Sequence, residues 1–368
     1  MRSVFLAVAL AVGLQHSVCT GQNPPAGESV TRSCAEVESL IQKVGQTPPD
    51  WWDSTPLTYP PALDLGWPLR AEGAWDASKN VGQYLWDVIN PNPGRWKEGI
   101  KLVNHLMIRH QGDPAKLVRS METLGRMYHD LMGDWARAAF WWRTCDRYGG
   151  GVDPIGLAHC YWKLGCKEMA VELLNAVGPD FTRHGVVIKL WADMGEYDKA
   201  LDLARQKAAD GMPTSAYLTA GDTCRLAGRY KEALAYYQKV LTAQGDTGRE
   251  GDIKKDRERA QASIQAIKLF DTLDVAQVAD GVYTAGSIAY AGPLYVEVTV
   301  KGGRIESVHV TKHQEKQFYS ALTDTPSQII RKQGVKGVDA VTGATMTSEA
   351  ILNATAKALA EGMQKAKR

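Results

Sequence analysis

One short pattern returns four times along this chain and leaves few folds open to it. Gly133-Asp-Trp135-x-x-Ala138 is followed by Gly165-Cys-Lys167-x-x-Ala170, then Gly195-Glu-Tyr197-x-x-Ala200 and Gly228-Arg-Tyr230-x-x-Ala233. The glycines stand 32, 30 and 33 residues apart. From about Lys101 to Leu269 apolar residues recur at three- and four-residue steps, the signature of amphipathic helix. Each Gly fits a helix end, where a Cβ would be costly. The residue two positions on opens the next helix, and the Ala lets two helices approach closely. One such pair cannot bury its apolar face alone, so neighbouring pairs must stack.

The last unit is the most regular, with Ala216-Tyr217-Leu218-x-x-Gly221 ahead of Leu226-Ala-Gly228-Arg-Tyr230-Lys-Glu-Ala233-Leu234-Ala-Tyr236-Tyr237. It resembles a tetratricopeptide repeat, and the earlier units resemble one more loosely. Residues 98–270 are therefore expected to be an all-α solenoid of tetratricopeptide-like repeats. Such an array offers a surface for a protein partner, or serves as a spacer that presents the next domain. Trp135, Trp141, Trp142 and Trp162 could line a groove, but large aromatics at helical spacing are more often core.

Composition divides the chain further. All eleven Trp lie between Trp51 and Trp191, and eight of the sixteen Pro between Pro48 and Pro93. Residues 22–97 thus read as a Trp- and Pro-rich cap, with Pro48 to Pro93 an ordered, extended wrap over the first repeat, since dense Pro prevents long helices. A carbohydrate- or quinone-binding surface is the alternative for these rings. A length of 368 residues asks for two or three domains. A net charge of +2 gives no reason to expect nucleic acid.

Residues 1–21 read as a secretory signal: Arg2, an apolar run from Val4 to Leu14, then small residues near Cys19 to Gly21. The run is too short to span a bilayer, so a periplasmic or extracellular location is expected, with membrane association as a variant of it. Lipidation at Cys19 is a weaker alternative. The mature chain keeps Cys34, Cys145, Cys160, Cys166 and Cys224, an odd number, so at least one thiol stays unpaired. Cys160 and Cys166 could pair, which sequence leaves open. No C-x-x-C, haem attachment motif or metal-ligand spacing is present, and the histidines of the repeats are scattered.

Beyond Lys268 the period changes. Gly281 to Gly286 leads to Tyr290-Ala-Gly292-Pro293-Leu294, and Tyr295 to Val300 and Arg304 to Val310 alternate with period two around Gly302-Gly303. These runs predict a β-hairpin. A short helix is expected near Ser327 to Lys332, and a longer one over Glu349 to Gln364 with Leu352, Ala356, Leu359 and Met363 on one stripe. Residues 275–368 thus form a small α+β domain. Ahead of the last helix stands Asp339-Ala-Val-Thr342-Gly343-Ala344-Thr345-Met346-Thr347-Ser348. It is neither a P-loop nor a dinucleotide fingerprint. It places hydroxyls and a glycine at a helix start, where free N–H groups favour a phosphate. Thr347 or Ser348 is the expected helix cap.

With Asp339, Thr342, Gly343, Ala344 and Thr345 in order, this segment resembles the FMN-binding domain shared by the flavin subunits of the sodium-pumping NADH:quinone reductase and the Rnf electron-transport complex. The upstream pattern agrees: Asp280-Gly281-Val-Tyr283, the Tyr290-Ala-Gly292-Pro293 stretch with Ala289 in place of the family's first Gly, and His313-Gln-Glu315. The family's Gln-led stretch is looser here, from Gln333 to Asp339. The resemblance implies FMN joined through its phosphate to the Thr345 hydroxyl by a flavin transferase of the ApbE type. It implies that Asp339, Thr342, Gly343 and Ala344 serve that transfer, with Thr347 and Ser348 at the phosphate. It also puts Tyr290, Gly292, Pro293, Leu294 and His313 near the flavin ring.

No general base, metal site or nucleophile triad is visible. The expected protein is an exported flavoprotein that carries electrons and docks on a membrane or extracytoplasmic redox protein through its repeats. The rival is a tetratricopeptide scaffold with a non-covalent or degenerate flavin domain.

Overall fold

The computed structural model describes residues 31–67, 80–177, 184–244, 250–270, 272–315, 320–338, 340–341 and 344–366. The signal segment with Cys19, Trp75, and the motif residues Asp339, Thr342 and Gly343 lie outside the described residues. The chain divides into two compact units, Met1–Asn175 and Ala176–Arg368.

In the first unit, α1 (Cys34–Gln46) starts with a capping box, in which the Glu36 carboxylate accepts the Ser33 N–H at 2.8 Å. Of the Pro-rich segment, residues 48–67 follow without regular helix or strand, and a short helix, Val81–Tyr84, runs into a π-type turn, Leu85–Ile89. Lys101 Nζ on α2 (Trp96–Arg109) donates to the Trp52 carbonyl at 2.7 Å. Trp67 Nε1 donates to Ser120 Oγ on α3 (Pro114–Arg126) at 2.9 Å. The wrap is thus pinned to helices by its own backbone carbonyls and indole N–H groups. A π-type turn, Met127–Leu131, extends α3 and leads to α4 (Trp135–Arg147). The next hairpin is α5 (Pro154–Lys163) and α6 (Lys167–Ala176). Asp113, Asp134 and Asp153 cap α3, α4 and α5 by accepting backbone N–H groups.

Trp141 and Trp142 are core, as their helical spacing suggests, while Trp135 and Trp162 are half-buried. Trp142 is the tightest of these contacts. A Cβ on Gly125 or Gly156 would lie 2.5 Å from its ring, so the indole fits only between two bare backbones.

The second unit holds the hairpins α7 (Gly185–Asp193) with α8 (Tyr197–Ala209) and α9 (Pro213–Leu226) with α10 (Tyr230–Thr242), then α11 (Glu250–Phe270). A three-stranded antiparallel sheet follows in the order β1 (Gly281–Ile288), β2 (Pro293–Lys301), β3 (Arg304–Lys312). Gly302 and Gly303, at φ +57° and +70°, close the β2–β3 hairpin as expected for two left-handed turn residues. Leu294, Val296, Val298 and Val300 make the buried row of β2. Two helices complete the unit, α12 (Ser320–Lys332) and α13 (Thr345–Ala366).

All four motif glycines have positive φ: +61° at Gly133, +100° at Gly165, +83° at Gly195 and +72° at Gly228. The residue two positions on opens a helix each time, and Ala138, Ala170, Ala200 and Ala233 are fully buried. The pattern is thus a turn-and-contact device, as its chemistry requires.

Three sequence expectations change. Helix α12 starts at Ser320 and runs through Pro326, with the Ser327 hydroxyl donating to the Thr323 carbonyl at 2.8 Å. Helix α13 starts at Thr345, four residues before Glu349, so Thr347 and Ser348 lie inside its first turn and do not cap it. Its apolar stripe is buried, but so are Ser348, Glu349, Asn353 and Thr355. The sheet covers one side of α13 and α11 covers another, within one compact unit.

Gly228→Ala puts a Cβ on left-handed backbone with no neighbour within 4 Å, a cost of about 1–2 kcal/mol. Ala233→Leu overpacks a fully buried contact, a cost of about 1–3 kcal/mol or more. Denaturant unfolding of the full chain should show both losses; a neutral Ala233→Leu would refute the close-approach role.

Candidate flavin site

The start of α13, the β1–β2 turn and the end of β3 converge at one end of the sheet. Helix α13 runs antiparallel to β1: a Cβ on Gly362 would meet the Tyr283 ring at 2.8 Å, and Lys357 Nζ donates to the Gly286 carbonyl at 3.4 Å. From Lys357 back to Thr345 is twelve residues, roughly 18 Å of helix. From Gly286 forward, about 13 Å of strand reaches the turn at Ala289 to Gly292. Tyr295 pairs with Lys312, so β3 ends beside that turn.

There the chain is cross-linked by polar contacts. The Ala291 N–H donates to the buried Glu315 carboxylate at 3.0 Å, and the Ala289 N–H to the Gly292 carbonyl at 2.9 Å. Gly292 has φ +145°, and a Cβ there would meet Gln314 Oε1 at 3.2 Å. Tyr290 is 52% exposed and Pro293 is exposed, while His313 is half-buried and Leu294 lies in the core. The His313-Gln-Glu315 segment thus lies against the Gly-Pro turn. Glu315, quoted in the sequence pattern but given no role, is the residue that fastens the two together. Gln333 was also given no site role. Its side-chain amide accepts from the Ile305 N–H at 2.9 Å and donates to the Ile305 carbonyl at 3.1 Å, which clamps the end of α12 to β3.

The hydroxyl cluster is sorted by burial. Thr345 is half-buried, Thr347 is 4% exposed and Ser348 fully buried. Ser348 Oγ accepts the Val341 N–H at 3.0 Å, and its own N–H bonds the Ala344 carbonyl at 3.0 Å. The N–H groups of Thr345, Met346 and Thr347 precede the first intrahelical acceptor, as in any α-helix. A half-buried Thr345, a small buried Ala344 and a helix N-terminus together suit an FMN phosphate.

The loop and helix are held from the side of the repeats. Buried Lys189 on α7 donates to the Ala340 carbonyl at 3.0 Å and ion-pairs with Asp193. One turn into α13, Glu349 accepts from Arg259 Nη2 on α11 at 3.1 Å. Arg259 also stands 3.5 Å from Asp222 on α9 and 3.8 Å from Asp256. The Tyr237 hydroxyl donates to Asp222 at 2.8 Å, and Arg225 donates to Asn353 at 3.2 Å. Burial, then the Glu349 charge, pushes the Asp222 carboxyl well above the ordinary range. Burial opposes the Arg259 charge, but Glu349, Asp222 and Asp256 outweigh it and hold its pKa above normal. None of these contacts was legible in sequence. The residues lie up to 151 positions apart and carry no common motif.

A cleft of about 680 Å³ lies beside α11 and the β1–β2 hairpin, lined by Arg257, Gln261, Ser287, Pro293, Tyr295 and Lys357 among others. Of the described site residues expected from sequence, Pro293 alone borders it.

Comparison with known proteins agrees with this geometry. Residues 289–360 match the family model of the FMN-binding domain, and residues 216–250, the α9–α10 hairpin, match that of a tetratricopeptide repeat. This is a flavin-binding protein with helical repeats. An uncharacterized protein of Treponema pallidum (strain Nichols) is 40% identical over 86 residues, 23% of this chain and 24% of that protein. The matched stretch is thus about a quarter of either length. No solved structure matches the chain.

The Asp222 carboxyl titrates well above its ordinary range in the fold but ionises above about pH 4 in the unfolded chain. The folded state therefore binds the extra proton, and stability falls as pH rises, by up to about 1.4 kcal/mol per pH unit, until the folded carboxyl itself ionises. Asp222→Asn keeps a donor toward Glu349 and removes this titration. Its stability relative to wild type should grow between about pH 5 and pH 8 in denaturant unfolding. Parallel curves would contradict an Asp222 carboxyl raised in the fold. Glu349→Gln leaves Arg259 underpaired and should cost about 3–5 kcal/mol.

Proposed function

We propose that this protein is an exported electron carrier whose FMN is bound covalently at Thr345. The observation that carries the attachment point is the burial order at the helix start: Thr345 is half-buried, while Thr347 and Ser348 are buried. A flavin transferase of the ApbE type would supply FMN from FAD. The Thr345 oxygen forms the new bond to the FMN phosphorus, AMP leaves with the electrons of the broken bond, and the hydroxyl proton is released. The helix N-terminus offsets the charge of the resulting phosphodiester. Glu315 and the Gly292-Pro293 turn shape the neighbouring surface, and the Lys189 contact fixes the loop that precedes Thr345. When bound, FMN supplies one- and two-electron chemistry.

Export is supported by Arg2, the Val4 to Leu14 run and the small residues after it. Among the described residues no helix is long and apolar enough to cross a membrane. A periplasmic or extracellular setting, with a membrane or extracytoplasmic redox protein as partner for the repeats, completes the proposal. Under the second reading, a protein-binding scaffold, the chain would carry no attached flavin.

Intact mass separates the readings. Co-produced with a flavin transferase, the chain should gain FMN less one water. Thr345→Ala should abolish the gain and the in-gel flavin fluorescence, and Thr347→Ala should keep both. Unmodified wild-type protein that also fails to bind free FMN would overturn the proposal.

A further inference from the structure

Three of the five cysteines beyond the signal segment, Cys145, Cys160 and Cys224, are buried singly in the helical layers. The other two meet. Cys34 is the first residue of α1, and Cys166 immediately precedes α6. Their sulfurs stand 2.9 Å apart although 132 positions separate them. Nonbonded heavy atoms rest at roughly 3.5–4 Å, so two separate thiols are crowded here. The backbone fixes the meeting independently of the sulfurs. The Arg32 N–H donates to the Gly165 carbonyl at 2.9 Å, and Arg32 Nη1 to the Leu164 carbonyl at 2.7 Å. On the other side of Cys166, the Met169 N–H donates to its sulfur at 3.5 Å.

We propose that Cys34 and Cys166 form a disulfide that clasps the first helix to the turn between α5 and α6. The bridge goes beyond flavin binding and is independent of it. Cys166 is the residue between the repeat glycine, Gly165, and the helix-opening Lys167. The bond would therefore lock a repeat turn to the start of α1. In this structure Cys166 takes Cys34 as its partner, and not Cys160.

The chemistry is thiol–disulfide exchange with a disulfide-bearing donor of an oxidising compartment. One cysteine thiolate attacks the donor and releases one donor thiol. The second cysteine thiolate displaces the other. The S–S bond forms, two protons leave the cysteines, and the donor gains two electrons and becomes a dithiol. Hydrogen bonding to Cys166 pushes the Cys34 thiol up to about 12. A thiol held protonated is a poor nucleophile, which suits a bridge made once over one that turns over.

The carboxylate of Glu168 also stands 3.4 Å from Cys34 Sγ, so a metal ion is the competing use. Zinc–sulfur bonds of about 2.3 Å in tetrahedral geometry would hold two sulfurs roughly 3.8 Å apart and need a fourth ligand. The described residues offer three, with the sulfurs closer than that.

The test uses the full chain, produced with its own leader and blocked with N-ethylmaleimide at lysis. Peptide mapping without reductant should recover one linked pair, Cys34 with Cys166. Reductant should lower the melting temperature of wild type by roughly 5–15 °C. Cys34→Ser should already show the lower value and be insensitive to reductant. The same chain equilibrated with oxidised glutathione and a chelator gives a readout that needs neither export nor a variant. There, too, the internal bridge is expected. A glutathione adduct at Cys34 without a bridge, linkage to another cysteine, or stoichiometric zinc with both thiols free would each overturn the proposal.

Discussion

The contact of Arg259 with Glu349 and Asp222 is the one on which the second unit most depends. It lets α13 be buried on its polar side as well as its apolar side. A helix with Ser348, Glu349 and Asn353 on one flank would ordinarily present that flank to water. Here Arg259 and Arg225 from the repeat helices supply to Glu349 and Asn353 the partners that water would have supplied. Burying this many charges is expensive unless each is paired. The cost shows in the Asp222 carboxyl, which burial and the Glu349 charge push well above the ordinary range.

The same contact explains why the flavin loop belongs with the repeats that precede it. Glu349 lies one turn below Thr345, and Lys189 reaches the Ala340 carbonyl within the motif. The last two hairpins thus act as a splint for the loop as well as a helical array. The flavin domain and these hairpins fall in one compact unit, although the periodicity changes near residue 270. Periodicity reports the local shape of an element, not what packs on it.

How far the sequence could be read depended on the range of the interaction. Gly228 and Ala233 were legible because a turn needing positive φ and a close helix contact leave marks within six residues. The Gly302-Gly303 hairpin was legible for the same reason. The start of α13 was misplaced because Thr347 and Ser348 both make acceptable caps; the helix instead begins at Thr345, with the Ser348 N–H bonded to the Ala344 carbonyl. The extent of α12 was underestimated because Pro326 argues locally against helix, and burial of that ring overrides it. Glu315 was visible as part of a pattern, but its bond to the Ala291 backbone was not.

By itself, the sequence determined the helical hairpins, the antiparallel hairpin with its Gly-Gly turn, and the candidate flavin segment. Each is encoded by residues near one another, through backbone conformation and side-chain period. Tertiary structure alone decided which hydroxyl at the start of α13 is least buried and which carboxyl titrates above its ordinary range. It also decided which of five thiols meet. Those outcomes depend on desolvation and on partners up to 132 positions away, and no local pattern records what will exclude water from a side chain.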